Sequence, residues 1–310
     1  MQLLTKTNID FVGRTRYTSV ISIILILAGV VSLLMHGGPK LSIDFTGGTI
    51  LQVKVLPAPE LAQVRGALEA AGFSDFQVQD FGALDEFLIT FRGETAQTGD
   101  EGIDSAEQMM HALQAGMSGY EVEMRREESV GPKIGGELKS AAVNSLFAAL
   151  VLIVLYITVR FVFRYGIAAI VALIHDVVIT LGVFSLLDKE VSLTIIAAFM
   201  TIIGYSLNDT IVVFDRIREN MSLRRKESYE GIINRSINET LSRTLVTSLT
   251  TLMVAGTLFV LGGAVIHDFA FALVLGVIIG TYSSIFVASP VLVWWYRRNV
   301  TDAKRNQPAM

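Results

Sequence analysis

Six long apolar segments limit most strongly how this chain can fold. An α-helix of ~20 apolar residues crosses the ~30 Å hydrocarbon layer of a bilayer, because each residue adds about 1.5 Å. The segments of this length are Tyr17–Met35, Ser140–Val159, Tyr165–Leu187, Val191–Phe214, Leu241–Leu261 and Phe269–Tyr296. Hydrophobic residues make up 52% of the chain and charged residues only 17%, unlike a soluble domain. The sequence therefore predicts an α-helical polytopic membrane protein with six transmembrane helices.

The basic residues predict the direction in which the chain crosses the membrane. Cytoplasmic loops carry an excess of Lys and Arg. If the N-terminus is cytoplasmic, 16 of the 25 basic residues of the chain fall on the cytoplasmic side. Eight of the other nine lie in residues 37–139, the longest stretch between two spans. The two short loops on the other side, Asp188–Glu190 and Gly262–Asp268, contain only Lys189. We therefore expect both termini to be cytoplasmic.

The longest stretch between two spans, residues 37–139, predicts a small α+β domain on the outer side. Its patterns predict a strand, a helix, two strands, a helix and a strand, at Ser42–Val55, Pro57–Ala71, from Phe76, from Glu86, Asp104–Met117 and Tyr120–Met124. This order is typical of a ferredoxin-like domain, and residues 97–102 are expected to form a loose loop. The stretch contains no catalytic or metal-ligand pattern, so we expect it to grip a ligand or a protein.

The rest of the chain divides around this domain. The predicted parts are the N-terminal segment with the first span (1–36), the outer domain (37–139), spans two to four (140–215), a cytoplasmic stretch (216–240), spans five and six (241–296) and a cytoplasmic tail (297–310). In the stretch 216–240, apolar residues recur at helical spacing among charged ones. This pattern predicts an amphipathic helix that lies along the inner membrane face. Its basic cluster at 224–226 either contacts anionic lipid or only follows the charge bias.

Asp209 is an acidic residue within an apolar span, and Asn208 precedes it. A carboxylate there costs about 2.5–3.5 kcal/mol on insertion scales, so it needs a proton, an ion or a partner charge. Arg243 begins the fifth span on the same side, and its long stem can reach a similar depth. Asp209 either carries a proton or ion or holds helices together, and Arg243 either pairs with it or anchors its helix at the interface. The polar stripe that we expect to face Asn208 and Asp209 consists of Arg243, Thr247, Thr250 and Thr257.

His175 and Asp176 form a second polar position, near the middle of the third span. A carboxylate beside an imidazole at this depth is costly and belongs in the interior of the helix bundle. Two interpretations stay open. The pair is a second stop for a proton, or it is a structural hydrogen-bond partner for the region around Asn208.

The junction between the outer domain and the second span is rich in Gly and Pro. It contains Gly131, Pro132, Gly135 and Gly136, which suit a hinge that absorbs backbone rotation. The same residues also commonly end one element and begin the next. Both interpretations stay open at this point.

Several motifs resemble the SecF branch of the SecD/SecF family, within the RND superfamily. They occur in order along nearly the whole chain as NIDFVGRTR (8–16), SIDFTGG (42–48), VGPKIGGEL (130–138), ALIHDVVITLGVFSL (172–186), GYSLNDTIVVFDRIREN (204–220) and SRTLVTSLTTL (242–252). Asn208 stands where the SecD branch has its acid, and Asp209 follows one position later. This offset favours the SecF branch.

The resemblance implies a function. Family members use the proton-motive force to assist protein export across the bacterial inner membrane, working with a SecD protein and the SecYEG channel on a translocating preprotein. It assigns Asp209 and Arg243 to proton transfer, with Asn208 beside them. It implies a periplasmic location for the outer domain and contact with membrane lipid. It implies no enzyme activity, no cofactor, no metal and no nucleic-acid partner.

Two other functions fit parts of the sequence. Paired membrane aspartates, Asp176 and Asp209, are also found in intramembrane aspartyl proteases. Asp209 lacks the preceding Gly-x-Gly of that class, because Ser206, Leu207 and Asn208 stand there. The six-span plan also fits a proton-driven RND exporter of small lipophilic molecules, although six spans make only half of such a pathway.

Overall fold

The computed structural model describes residues 7–92, 105–160, 162–224 and 226–305. The helices are α1 (Thr15–Met35), α2 (Ile43–Thr46), α3 (Leu61–Ala70), α4 (Ser105–Gly116), α5 (Pro132–Arg160), α6 (Phe163–Leu186), α7 (Leu193–Leu223), α8 (Tyr229–Leu261), α9 (Gly263–Ser283) and α10 (Ser289–Arg305). The strands are β1 (Gly48–Leu56), β2 (Phe76–Phe81), β3 (Ala83–Phe91) and β4 (Glu121–Val130). The chain forms two compact units, one from Leu41 to Asn144 and one from the residues on either side.

The unit from Leu41 to Asn144 contains a four-stranded sheet with the order β2-β3-β1-β4, and every neighbouring pair is antiparallel. Together with α3 and α4, this is the ferredoxin-like topology, so the prediction of the fold class is confirmed. The alternation in β1 explains the arrangement, because Leu51, Val53 and Val55 are buried while the residues between them are partly exposed. The loop expected at 97–102 lies outside the described residues.

The pair Gly47–Gly48 joins α2 to β1. Both residues have positive φ, 78° and 136°, which a glycine adopts at little steric cost. A Cβ atom on Gly48 would lie 2.5 Å from the carbonyl oxygen of Phe91. The second glycine therefore allows β1 to enter the sheet directly beside the end of β3.

Six helices in the described part of the chain are long and apolar enough to cross a membrane, as predicted. They are α1, α5, α6, α7, α8 and the continuous rod formed by α9, a π-helical turn at Ser284–Ala288 and α10. Several of them extend beyond the predicted spans. For example, α5 begins at Pro132 rather than Ser140, because the helix continues through residues that are too polar to be counted as a span.

The helix bundle is held by close contacts at small residues. A Cβ atom on Gly29 of α1 would lie 2.8 Å from the Cα atom of Gly182 of α6, so the two backbones cross at these glycines. A Cβ atom on Gly280 of α9 would lie 3.0 Å from the Cβ atom of Ser206 of α7. These contacts bring α1, α6, α7 and α9 near enough for short polar side chains to reach one another.

The prediction of an amphipathic helix lying along the membrane at residues 216–240 is wrong. This stretch is formed by the last turns of α7 and the first turns of α8, which begins after Ser228, whose hydroxyl caps the helix. Its apolar residues Ile217, Ile233 and Ile237 are buried in the bundle core. The amphipathic pattern is real, but the apolar side packs against the protein instead of the membrane surface.

Candidate functional site

Asp209 is buried in α7, with 3% of its surface exposed. The groups of α8 that act on its carboxyl group electrostatically are the hydroxyl of Thr244 and the guanidinium of Arg243. Within the described part of the chain, neither Asp209 Oδ2 nor Thr244 Oγ1 has a partner at hydrogen-bond geometry, although both atoms are buried. A buried oxygen without a donor is unfavourable and is satisfied when the carboxyl group binds a proton or a neighbour moves.

Arg243 is exposed at the surface of α8 and forms no ion pair with any described residue. It lines a polar cavity of about 1110 Å³, together with Arg216, Glu239, Ser242 and Thr247. The cavity lies where α7 ends and α8 begins. Arg243 therefore lines this cavity, and its charge also acts on the buried carboxyl group of Asp209.

The predicted polar stripe on the fifth span does not face Asn208 and Asp209. Asn208 is exposed on α7, whereas Asp209 is buried. Along α8, Thr250 and Thr257 are also exposed, and their hydroxyls donate to carbonyl oxygens of their own helix. Thr247 is half-buried and donates in the same way. The prediction fails because these threonines are exposed or half-buried, and their hydroxyls already donate hydrogen bonds to carbonyl oxygens of α8.

The buried polar face of α8 lies one position further along the sequence. Thr244 and Ser248 are buried there, one turn apart. The Tyr205 hydroxyl of α7 donates to Ser248 Oγ at 3.1 Å, and Ser248 Oγ lies 2.7 Å from the Thr281 hydroxyl of α9. Polar contacts therefore join α7, α8 and α9 at this position, whereas the Thr244 hydroxyl has no hydrogen-bond partner among the described residues.

Asp176 is 1% exposed and has a complete set of partners. One carboxylate oxygen, Oδ2, accepts hydrogen bonds from Ser206 of α7 at 2.5 Å and from Ser283 of α9 at 2.8 Å. The other, Oδ1, lies 2.9 Å from Nδ1 of His175. These contacts join α6 to α7 and α9, and Ser206, two positions before Asn208, is the hydrogen-bond partner of Asp176 in that region.

His175 extends this network to α1. Its Nε2 atom lies 3.0 Å from Ser22 Oγ, and Ser22 Oγ lies 3.1 Å from the Tyr282 hydroxyl. Tyr282 donates to the carbonyl oxygen of Thr18 and stacks against the His175 ring. The network thus contains groups from α1, α6, α7 and α9. Its fully bonded state favours the structural interpretation of His175 and Asp176, and the second proton stop stays a prediction.

Two asparagines of α8 hold the segment before α1. The side chain of Asn238 accepts from the Ile9 amide at 2.8 Å and donates to the Ile9 carbonyl at 2.8 Å. Asn234 accepts from the Phe11 amide at 2.8 Å and donates to the same Ile9 carbonyl. This segment belongs to the NIDFVGRTR motif, and the contacts give it a physical role at the rim of the Arg243 cavity.

Sequence reasoning missed Ser206, Ser283, Thr244 and the two asparagines. The signal for the serines was present, since each is a polar residue inside an apolar span. What the sequence does not contain is the pairing, because Ser206 and Ser283 are far apart in the chain. Among the described residues, no three His, Cys, Asp or Glu side chains are grouped so that they could hold a metal ion.

The predicted hinge residues lie at the start of α5. Pro132 is its first residue, a position where the missing amide hydrogen costs nothing. A Cβ atom on Gly135 would lie 3.0 Å from the Gly47 nitrogen, so this glycine allows a close contact with the end of α2. A Cβ atom added to Gly131 or Gly136 would have open space around it. The structure thus gives Pro132 and Gly135 local roles, and the hinge stays a prediction.

Comparison with known families matches these features to one family. The family described as "Protein export membrane protein SecD/SecF, C-terminal" matches residues 109–298, and the "SecD/SecF GG Motif" matches residues 32–55. The larger match covers more than half of the chain. The chain belongs to the SecD/SecF family. The second match includes Gly47–Gly48, the pair that leads into β1.

Several relatives named protein translocase subunit SecF are similar to this chain over nearly their full length. A protein translocase subunit SecF from Thermodesulfovibrio yellowstonii is 45% identical over 297 residues, which cover 94% of this chain and 96% of the relative. One from Vibrio alginolyticus is 46% identical over 287 residues, which cover 93% and 90%. These proteins support a role in Sec translocation and a location in the bacterial inner membrane.

Two solved structures share the fold. SecDF from Thermus thermophilus, a translocon-associated membrane protein, superposes with a TM-score of 0.85 at 40% identity. SecDF in the super-membrane-facing form has a TM-score of 0.72 at 39% identity. This chain covers 40% and 41% of those longer chains. The SecDF name supports a SecD partner for the present chain.

Proposed function

We propose that this protein is the SecF half of a SecD–SecF complex that uses the proton-motive force to assist protein export. The observation that carries the proposal is Asp209, a buried carboxyl group with an unpartnered oxygen, near the exposed Arg243 of a polar cavity. The other partners are the SecYEG channel and the translocating preprotein. Neither nucleic acid nor a cofactor takes part, since the proton gradient supplies the energy.

The proton step follows from the electrostatics of this pair. When Asp209 is ionised, its charge attracts the Arg243 guanidinium and holds α7 and α8 in one arrangement. When a proton from the periplasmic side binds the carboxylate, this attraction is lost and the two helices are free to shift. The proton then leaves to water in the cavity, and the ionised carboxylate attracts the guanidinium again. Such a cycle couples proton passage to a change in helix packing.

The contacts argue against the two other functions. An aspartyl protease needs two carboxyl groups that share one proton. Here Asp176 is bonded to Ser206, Ser283 and His175, and Asp209 Oδ2 has no hydrogen-bond partner among the described residues, so the two aspartates do not form such a pair. An exporter of small lipophilic molecules is disfavoured by the relatives, which are named as translocase subunits.

The exposed face of α7 supports a SecD partner. This face consists of small or polar residues at helical spacing, namely Ala197, Thr201, Gly204 and Asn208, all exposed. A polar face inside a membrane-crossing helix is unfavourable against lipid, and small residues let helices approach closely. We propose that the corresponding helix of SecD packs here, around a pseudo-twofold axis, as in other transporters built from repeats.

We expect Asp209→Asn to abolish proton-driven assistance while the complex still assembles, because the amide keeps the shape but cannot titrate. Arg243→Leu should fail as well, since it removes the positive charge that acts on the ionised carboxylate, whereas Arg243→Lys should keep part of the activity. The measurement is export of a secretory precursor into vesicles with and without a proton gradient. Asp215→Asn, a partly exposed acid at the end of the same span, is the matched control. Wild-type stimulation by Asp209→Asn at equal abundance would contradict the proposal.

We expect cysteines at Gly204 of this chain and on the matching helix of SecD to form a disulfide in membranes. The chain has no Cys of its own, so the background is clean. Leu249, an exposed apolar residue of α8, provides the control position. Efficient cross-linking from Leu249 but none from Gly204 would place SecD on another face.

We expect the α7–α8 turn to be cytoplasmic and the sheet domain to be periplasmic, from the bias of basic residues. A single cysteine at Gln79, exposed on β2, should react with an impermeant thiol reagent on whole cells. A cysteine at Lys226 should react only after the membrane is opened. The reverse pattern would show that the orientation is inverted.

A further inference from the structure

An apolar groove runs along the surface of the helix bundle between α1, α6 and α10. It has a volume of about 590 Å³, within the range of pockets that bind small molecules. Its walls include Ile23 and Ile26 of α1, Val178 of α6, Phe286 of the π-helical turn and Trp294 of α10. All of these helices belong to segments that are long and apolar enough to cross a membrane, so we expect the groove to face lipid rather than water.

The bulge in the last rod shapes one wall of this groove. Pro290 lines the groove and follows the π-helical turn Ser284–Ala288. Because proline has no amide hydrogen, it cannot bond to the carbonyl one turn earlier, and the helix widens before it. The shape of this wall therefore depends on the helix backbone as well as on the side chains.

The length of the groove matches one leaflet of a bilayer. It extends along α1 from Thr15 to Ile26, about 16 Å at 1.5 Å per residue. This is close to half of the ~30 Å hydrocarbon thickness. The polar residues at its floor, Ser22 and His175, are bonded to each other at 3.0 Å. Because these two polar side chains are already hydrogen-bonded to each other, the groove favours an apolar occupant.

Two arginines lie next to residues that line the groove, one beside Trp294 and one beside Thr15. Arg298 lies over the Trp294 ring with its guanidinium carbon 5.5 Å from the ring centre. Arg14 immediately precedes Thr15, which lines the groove, and is exposed. Neither arginine forms an ion pair with a described residue, whereas the neighbouring Arg297 is bonded to Glu230 at 2.7 Å. The nearby acid Asp10 accepts a hydrogen bond from the Gly13 amide.

We propose that this groove binds one anionic phospholipid, with an acyl chain between α1, α6 and α10 and its phosphate beside Arg14 and Arg298. The shape selects an extended apolar chain, and the two arginines select a negative headgroup. This site is distinct from the basic cluster at 224–226. It would tie the activity of the membrane bundle to the anionic lipid content of the bilayer.

Trp294 reports directly on this site, because the chain contains only two tryptophans. The full chain with Trp295→Phe is reconstituted in vesicles with equal amounts of brominated phosphatidylglycerol or brominated phosphatidylcholine. We expect phosphatidylglycerol to quench Trp294 at a lower mole fraction, by about fivefold for each arginine engaged. Salt at 1 M should remove this preference, since the screening length falls to ~3 Å.

Variants distinguish recognition of the headgroup from binding of the acyl chain. Arg14→Gln with Arg298→Gln should make the two lipids quench equally, whereas Arg218→Gln, an exposed arginine of α7, should leave the preference unchanged. Ile23→Phe, placed at an exposed wall position, should reduce quenching by both lipids, and Leu155→Phe on α5 should not. Equal quenching by the two lipids in the unsubstituted background would overturn the proposal. So would unchanged quenching in Ile23→Phe.

Discussion

The hydrogen bonds that surround the Asp176 carboxyl group are the interaction on which the arrangement of the helix bundle depends. Burying a carboxyl group in a membrane protein is costly unless its oxygens have partners. Ser206, Ser283 and His175 supply them, and they bring together α6, α7 and α9. Removing one serine would leave a buried oxygen short of a donor, at a cost of about 1–3 kcal/mol. The close approach at Gly280 is what allows Ser206 to reach this position.

The environment of Asp209 follows from that anchor. Ser206 and Asp209 are three residues apart on α7, so fixing the first sets the depth and direction of the second. Asp209 then faces α8 beside Thr244, with one oxygen unpartnered among the described residues. One carboxyl group is thus locked by its neighbours and the other is left incompletely bonded. This contrast, more than the presence of two acids, supports a division between a structural site and a proton site.

Much of the fold could be predicted, because apolar length and strand alternation are local properties of the chain. Six spans and the ferredoxin-like domain both follow from such patterns. The prediction for residues 216–240 was wrong because an amphipathic pattern does not show whether protein or membrane covers the apolar side of the helix. Asp209 stood out as an acid in an apolar span. The buried polar face of α8 beside it begins at Thr244, one position after the Arg243 of the predicted stripe. Which faces of two helices contact each other depends on how the helices cross, and the sequence of neither helix determines this.

Infrared difference spectroscopy of the SecD-bound protein in lipid tests the central claim most directly. Acidification should produce a carboxylic C=O band that is absent in Asp209→Asn and present in Asp176→Asn, because Asp209 exchanges protons and Asp176 stays in its network. The same samples must retain their SecD partner, which a pull-down verifies. A band that persists in Asp209→Asn and disappears in Asp176→Asn would contradict this account, since the locked site would then be the one that titrates.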